Sequence, residues 1–151
     1  MTPEYVAGLI DGEGCIDCQI LYPKRGYKYY NIRPRLRVVM TQSSGFLLEQ
    51  LEAIYGGYIS YRKSKSITDK DSMSWEIAGK TFMVKLLEAI LPHLVLKKEQ
   101  AKLALWWLNN MSGRHLNKEV RQHFSDELKQ MKLDPQRLSE EAIARIEQLM
   151  R

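Results

Sequence analysis

Apolar positions recur along the chain with two periods, near four residues in some stretches and two in others, and the switches between them lay out the elements. Thr2 suits a helix N-cap and Pro3 the first helical position, so a helix is expected to begin at once. In it Gly8 and Gly12 lie four apart on one face with Ala7 beside them, a face bare enough for another backbone to approach closely. Asp11 falls in the last turn and Glu13 just beyond it, and Gly14 lets the chain turn into a strand starting near Cys15. From there to Tyr22 the period is two: Ile16, Cys18, Ile20 and Tyr22 oppose Asp17, Gln19 and Leu21.

Pro23-Lys24-Arg25-Gly26 reads as a turn, and 27–41 as a long second strand with Arg33, Arg35 and Arg37 on one face and Ile32, Leu36, Val38 and Met40 on or near the other. Pro34 hints at a bend or an unpaired edge. Phe46, Leu47, Leu51 and Ile54 restore helical spacing over 45–55, and Gly56-Gly57 ends it. A second hairpin is expected from 58–65, a polar loop 66–71, and a strand carrying Met73, Trp75 and Ile77. Helices follow over 80–91, closed by Pro92, and over about 98–111, where Trp106 and Trp107 suit an amphipathic core face. Residues 112–151 read as two or three short amphipathic helices, near 116–124, 125–132 and 139–150, interrupted at Leu133-Asp134-Pro135. Helix, two strands, helix, two strands, helix implies an α+β fold with a four-stranded antiparallel sheet backed by helices. At 151 residues the chain is one domain, with a core over 2–111 and a C-terminal helical extension over 112–151.

Charge sharpens this picture. The net charge is +5, and 24–65 holds nine basic residues (Lys24, Arg25, Lys28, Arg33, Arg35, Arg37, Arg62, Lys63, Lys65) against Glu49 and Glu52, whereas 112–151 is nearly balanced at eight against seven. Three arginines in line on one strand face repel each other, so a polyanion is the expected partner, and a β-ribbon entering the major groove offers guanidinium groups to guanine O6 and N7 or to phosphate. Strand alternation selects Asp17, Gln19, Arg33, Arg35, Arg37, Ser60, Arg62, Ser74 and Glu76 as candidate DNA contacts. No apolar run is long enough to span a bilayer and no signal-peptide pattern leads the chain, so a soluble intracellular protein without a membrane partner is expected. Cys15 and Cys18 lack a second pair and point to opposite faces of a strand, which favours plain buried thiols over zinc or redox chemistry. His93, His115 and His123 show no ligand spacing.

The segment Val6-Ala7-Gly8-Leu9-Ile10-Asp11-Gly12-Glu13-Gly14 resembles the LAGLIDADG motif, identical or close in type at eight of nine positions, with Gly in place of the third small residue. The resemblance implies the αββαββα fold of the LAGLIDADG homing endonucleases, with its saddle-shaped sheet, and covers 2 to about 111. One motif copy implies the single-motif group, in which two chains form a homodimer through the motif helices, here Ala7, Gly8, Asp11 and Gly12, on a pseudo-palindromic duplex. It implies metal-dependent cleavage of double-stranded DNA, with Mg²⁺ the expected ion and Glu13, at the second acid of the motif, as metal ligand. Gln42 resembles the polar residue that orders active-site water, and Lys97 the basic residue near the scissile phosphate, with Lys98 the alternative. The arginine that some relatives carry shortly after the glutamine has no counterpart in Ser43-Ser44-Gly45-Phe46. A binder on the same scaffold, either a DNA regulator that does not cut or a maturase acting on intron RNA, is the competing expectation.

Overall fold

The structure, a computed structural model, describes residues 1–22 and 30–151. The turn expected at 23–26, the basic residues Lys24, Arg25 and Lys28, and the first part of the second strand lie outside the described residues. The order is α1 (Pro3–Glu13), β1 (Gly14–Leu21), β2 (Asn31–Thr41), α2 (Phe46–Tyr55), β3 (Tyr58–Arg62), β4 (Ser72–Ala78), α3 (Lys80–Ile90), α4 (Lys98–Asn110), α5 (Lys118–Leu133) and α6 (Ser139–Leu149). The four strands form one antiparallel sheet in the order β1-β2-β4-β3.

Alternation decides which way the sheet faces. Ile16, Ile32, Leu36, Val38, Met73, Trp75 and Ile77 are buried against the helices, while the residues between them form the opposite, half-exposed face. Pro34 is tolerated because β4 pairs with β2 only from Arg35 onward, so at Pro34 the strand is bonded on the β1 side alone. Between α2 and β3, Gly56 and Gly57 adopt φ of 81° and 87°, and a side chain at Gly57 would lie 2.4 Å from the Glu76 carbonyl oxygen. The close approach lets Trp75 Nε1 donate to the Gly56 carbonyl at 2.9 Å. β3 ends at Arg62, three residues short of the expected strand.

The C-terminal segment differs from expectation in continuity. Residues 118–133 form one helix, since nothing between Phe124 and Ser125 breaks the period. Its stripe Val120, Phe124, Leu128 and Met131 joins Ala142 and Ile146 of α6 in the same buried cluster as the sheet residues, and the Phe124 ring stacks on Trp107 with centroids 4.0 Å apart. Glu127, 3% exposed, accepts paired hydrogen bonds from Arg137 (2.9 and 3.0 Å) and Arg145 (3.0 and 3.2 Å). Burial opposes its charge, but these bonds outweigh burial and hold its carboxyl down at about 2.

Candidate active site and nucleic-acid interface

The site begins at α1. Thr2 Oγ1 accepts the Tyr5 N–H at 3.2 Å, and Pro3 fills the first turn. Val6, Ala7 and Ile10 form the buried stripe, and Gly8 and Gly12 lie on the exposed side. A Cβ added to either glycine would meet nothing within 4 Å among the described residues, so packing against them does not require glycine there. Ala7 is a correction: grouped with the glycines for its size, it lies one residue from Val6 and three from Ile10 on the helical wheel, and is fully buried within its own chain.

The helix runs through Glu13, one residue further than expected, and Gly14 ends it with its N–H on the Ile10 carbonyl. Any side chain at position 14 would come within 2.7 Å of that carbonyl oxygen, so glycine allows the abrupt change from helix to β1. Glu13 is left exposed at the C-terminal end of α1, where the free carbonyls add negative potential.

Asp11 ties that end down. Its carboxylate accepts the backbone N–H groups of Val95 (2.8 Å) and Lys97 (2.9 Å), while Lys97 Nζ donates back to the Asp11 carbonyl oxygen at 2.6 Å. The reciprocal clamp brings Lys97, the residue before α4, to the end of α1, whereas Lys98 is an exposed first residue of α4. Val95 and Leu96, 77% and 53% exposed, stand beside this clamp, and Tyr5, one turn before Gly8 on α1, is half-exposed. In the sequence Val95 and Leu96 are marked only by Leu94-Val95-Leu96, an apolar run outside any helical period. Gln42 opens a 3₁₀ turn directly after β2, with its N–H on the Asp71 carbonyl. Gly14 pairs with Val38, so Glu13 and Gln42 leave the sheet at the same end.

The register places all nine candidate DNA contacts on one face. Asp17 opposes Arg35 and Gln19 opposes Arg33, Arg37 opposes Glu76, and Ser60 pairs with Ser74. The acids near the arginines are few, but two of them, Asp17 and Glu76, stand directly beside them and relieve part of the expected repulsion. Asp17 accepts from Arg35 Nε (2.9 Å) and Nη2 (3.1 Å) and from Arg37 Nη2 (2.9 Å), and Gln19 accepts from Arg33 Nε at 2.8 Å. Glu76 lies 3.7 Å from Arg35 and accepts from the Tyr58 hydroxyl, so the network crosses every strand. The Asp17 hydrogen bond keeps the Arg35 pKa above its ordinary value. Arg33, Arg35, Arg37 and Arg62 against Asp17 and Glu76, four cations against two anions, leave the face at a formal +2.

Neither cysteine is fully buried. Cys18 faces the core side, where burial pushes its thiol up to about 12, and Cys15 lies 3.7 Å from Lys132 Nζ. His93 sits at 3.8 Å from Glu4 and His123 at 3.4 Å from Glu127. Among the described residues no three His, Cys, Asp or Glu side chains gather into a metal cage, and no helix is long and apolar enough to cross a membrane. The carboxylate of Glu13 stands exposed at the end of α1. That suits a hard cation such as Mg²⁺, which keeps several waters and binds through one or two carboxylates plus phosphate oxygens.

A family model described as LAGLIDADG endonuclease matches residues 6–107. The DNA endonuclease I-CvuI of Chlorella vulgaris is 34% identical over 103 residues, which is 67% of this chain and 60% of that protein. The crystal structure of I-CvuI in complex with its target in the presence of 2 mM Ca is 25% identical with a TM-score of 0.66, covering 97% of this chain and 93% of that one. The archaeal intron-encoded homing endonuclease I-Vdi141I complexed with DNA, at 16% identity, shares the fold with a TM-score of 0.65 over 97% of this chain and 94% of that one.

Proposed function

The chain belongs to the LAGLIDADG endonuclease family, and from that membership we propose that two copies of it form a site-specific homing endonuclease that cuts both strands of a pseudo-palindromic DNA target. The observation that carries this reading is the conjunction at α1: a glycine face left uncovered among the described residues, ending in an exposed carboxylate beside a basic sheet face. A two-fold axis through Gly8 and Gly12 brings the two helices together and sets both Glu13 carboxylates near one another. The sheets of the two subunits then extend in opposite directions along the duplex, and Arg33, Arg35, Arg37 and Arg62 meet its groove and phosphates. Residues 1–151 act as one domain, the 2–111 core carrying the site and 112–151 buttressing it through the shared apolar cluster.

Glu13 is the metal ligand in this reading, and Mg²⁺ is the ion. An ion held there would supply Lewis-acid polarisation of the phosphoryl group and a bound water of lowered pKa. The chain's own residues do the rest. Hydrolysis adds a water oxygen to phosphorus while the bond to the leaving oxygen breaks, and negative charge builds on the phosphoryl oxygens. The Lys97 ammonium, held by the Asp11 carbonyl at 2.6 Å, is positioned to neutralise that charge. Gln42, at the same end of the sheet, has both a donor and an acceptor with which to orient water. Asp11 is spent on the backbone of Val95 and Lys97, so its role is to position the helix end.

Incubation with a library of duplexes in Mg²⁺ and separately in Ca²⁺ tests this. Double-strand cuts at one recovered sequence, with Mg²⁺ alone, are the expected result. Tight binding without a cut under any divalent ion would replace the nuclease with a binding protein on the same scaffold.

A further inference from the structure

A second concentration of positive charge lies at the free edge of β1, where α5 packs against it. The cleft between them has a volume of about 400 Å³, within the range of small-ligand sites. Its floor is apolar, from Ile16, Ile32 and Leu128, and its walls carry Arg37, Arg121, Lys129 and Lys132. Against these four cations the described lining sets one acid, Asp17, already engaged with Arg35 and Arg37. Residues 112–151 are nearly neutral by count, but α5 turns three of its cations toward this one cleft.

Arg121 is the unusual member. It is 5% exposed, its guanidinium rests 4.3 Å from the centroid of the Tyr30 ring, and its Nε has no hydrogen-bond acceptor among the described residues. No carboxylate forms an ion pair with it among the described residues either. Arg37 Nε, on the opposite wall, is likewise buried without an acceptor. A buried guanidinium N–H without an acceptor is costly, and an anion that enters the cleft and accepts from it removes that cost. Contrast the other buried charge of α5, Glu127, which is fully engaged by Arg137 and Arg145.

We propose that the cleft between β1 and α5 is a phosphate-binding site, with Arg121 as its buried anchor and Lys129 and Lys132 as its mobile arms. Phosphate is the class that fits several convergent N–H donors of fixed and flexible kinds at once. Two sources present that chemistry. A backbone phosphate of duplex bound on the sheet face reaches it because Asp17 and Arg37 belong to both the cleft and that face. A free nucleotide reaches it from solution and lays its ring on the apolar floor. The first source rests on the DNA-binding reading above; the second does not.

The test uses the full chain and the double variant Lys129→Gln/Lys132→Gln, both positions exposed and so harmless to folding. In one arm, duplex affinity is measured as a function of salt by fluorescence anisotropy. If duplex phosphate fills the cleft, the variant loses about two units from the log–log salt slope, at about 0.9 per phosphate contact. In the other arm, adenosine monophosphate is titrated calorimetrically without DNA, and a free-nucleotide site shows binding that falls at least tenfold in the variant. Either result supports the site and names its source. An unchanged slope together with no nucleotide binding by the wild-type chain overturns it. Failure of the wild-type chain to bind any duplex would instead count against the DNA-binding reading, and the nucleotide arm would then decide the site alone. Arg121→Lys, which keeps charge but not the planar fork, is expected to weaken whichever ligand binds with its unfolding midpoint checked in parallel.

Discussion

Replacing Asp17 with Asn probes the polar sheet face most sharply, because two readings of that residue predict opposite outcomes. If Asp17 accepts a hydrogen bond from a base, its loss weakens recognition of the target and leaves the protein otherwise intact. Its geometry says otherwise: three charge-assisted hydrogen bonds of 2.9, 3.1 and 2.9 Å join it to Arg35 and Arg37. The Asp17 and Arg35 side chains are 31% and 19% exposed, so the pair is partly screened and worth more than a surface ion pair but less than a buried one. Asparagine keeps the shape, removes the charge, and turns an amide donor toward guanidinium donors. A loss of about 1–2 kcal/mol follows, read as a lower midpoint in urea and as a fall of roughly 3–6 °C in melting temperature. Arg37 is released at the same time. Non-specific duplex affinity at low salt should therefore rise, with a salt slope steeper by about one unit. Unchanged stability, or a fall in non-specific affinity, would refute the network as the reason Asp17 stands there.

Gly8→Leu places a side chain where none of the described residues has an atom within 4 Å of the new Cβ, so the monomer should fold as before while sedimentation shows self-association lost; a dimer of unchanged affinity would exclude that face as the interface. Glu127 has its folded pKa depressed from 4.5 to about 2, so its contribution is complete above pH 4.5 and disappears as the pH falls toward 2. Glu127→Gln should accordingly cost about 3 kcal/mol at neutral pH and flatten the stability profile between those limits, as followed by urea unfolding across pH. Lys97→Met removes the ammonium held at the end of α1 and should lower single-turnover cleavage about 100-fold or more with target affinity nearly unchanged, whereas equal loss of both would assign Lys97 to binding.

Much of this was legible in the sequence because the informative signals are local. Thr2-Pro3 starts α1 and Gly14 ends it; Arg33, Arg35 and Arg37 share a face because a strand repeats every two residues. What stayed hidden depends on partners far away in the chain. Asp17 meets Arg35 across the β1–β2 register, and the masking of the arginine charge follows from that pairing rather than from composition. Asp11 finds its donors at Val95 and Lys97, 84 and 86 residues along the chain. Ala7 differs, since helical spacing alone puts it beside Val6 and Ile10 on the buried stripe. No residue requires the division of 116–132 into two helices, and the buried stripe Val120, Phe124, Leu128 and Met131 runs on one face straight through that point.

Cleavage depends, in this view, on one carboxylate per chain delivered by an open helix face. Glu13→Gln tests that most directly. With the cognate duplex and Mg²⁺, the variant is expected to bind with wild-type affinity by anisotropy and to cut neither strand on a denaturing gel. Cutting by the variant at anything near the wild-type rate, or loss of binding together with cleavage, would contradict the role given to Glu13.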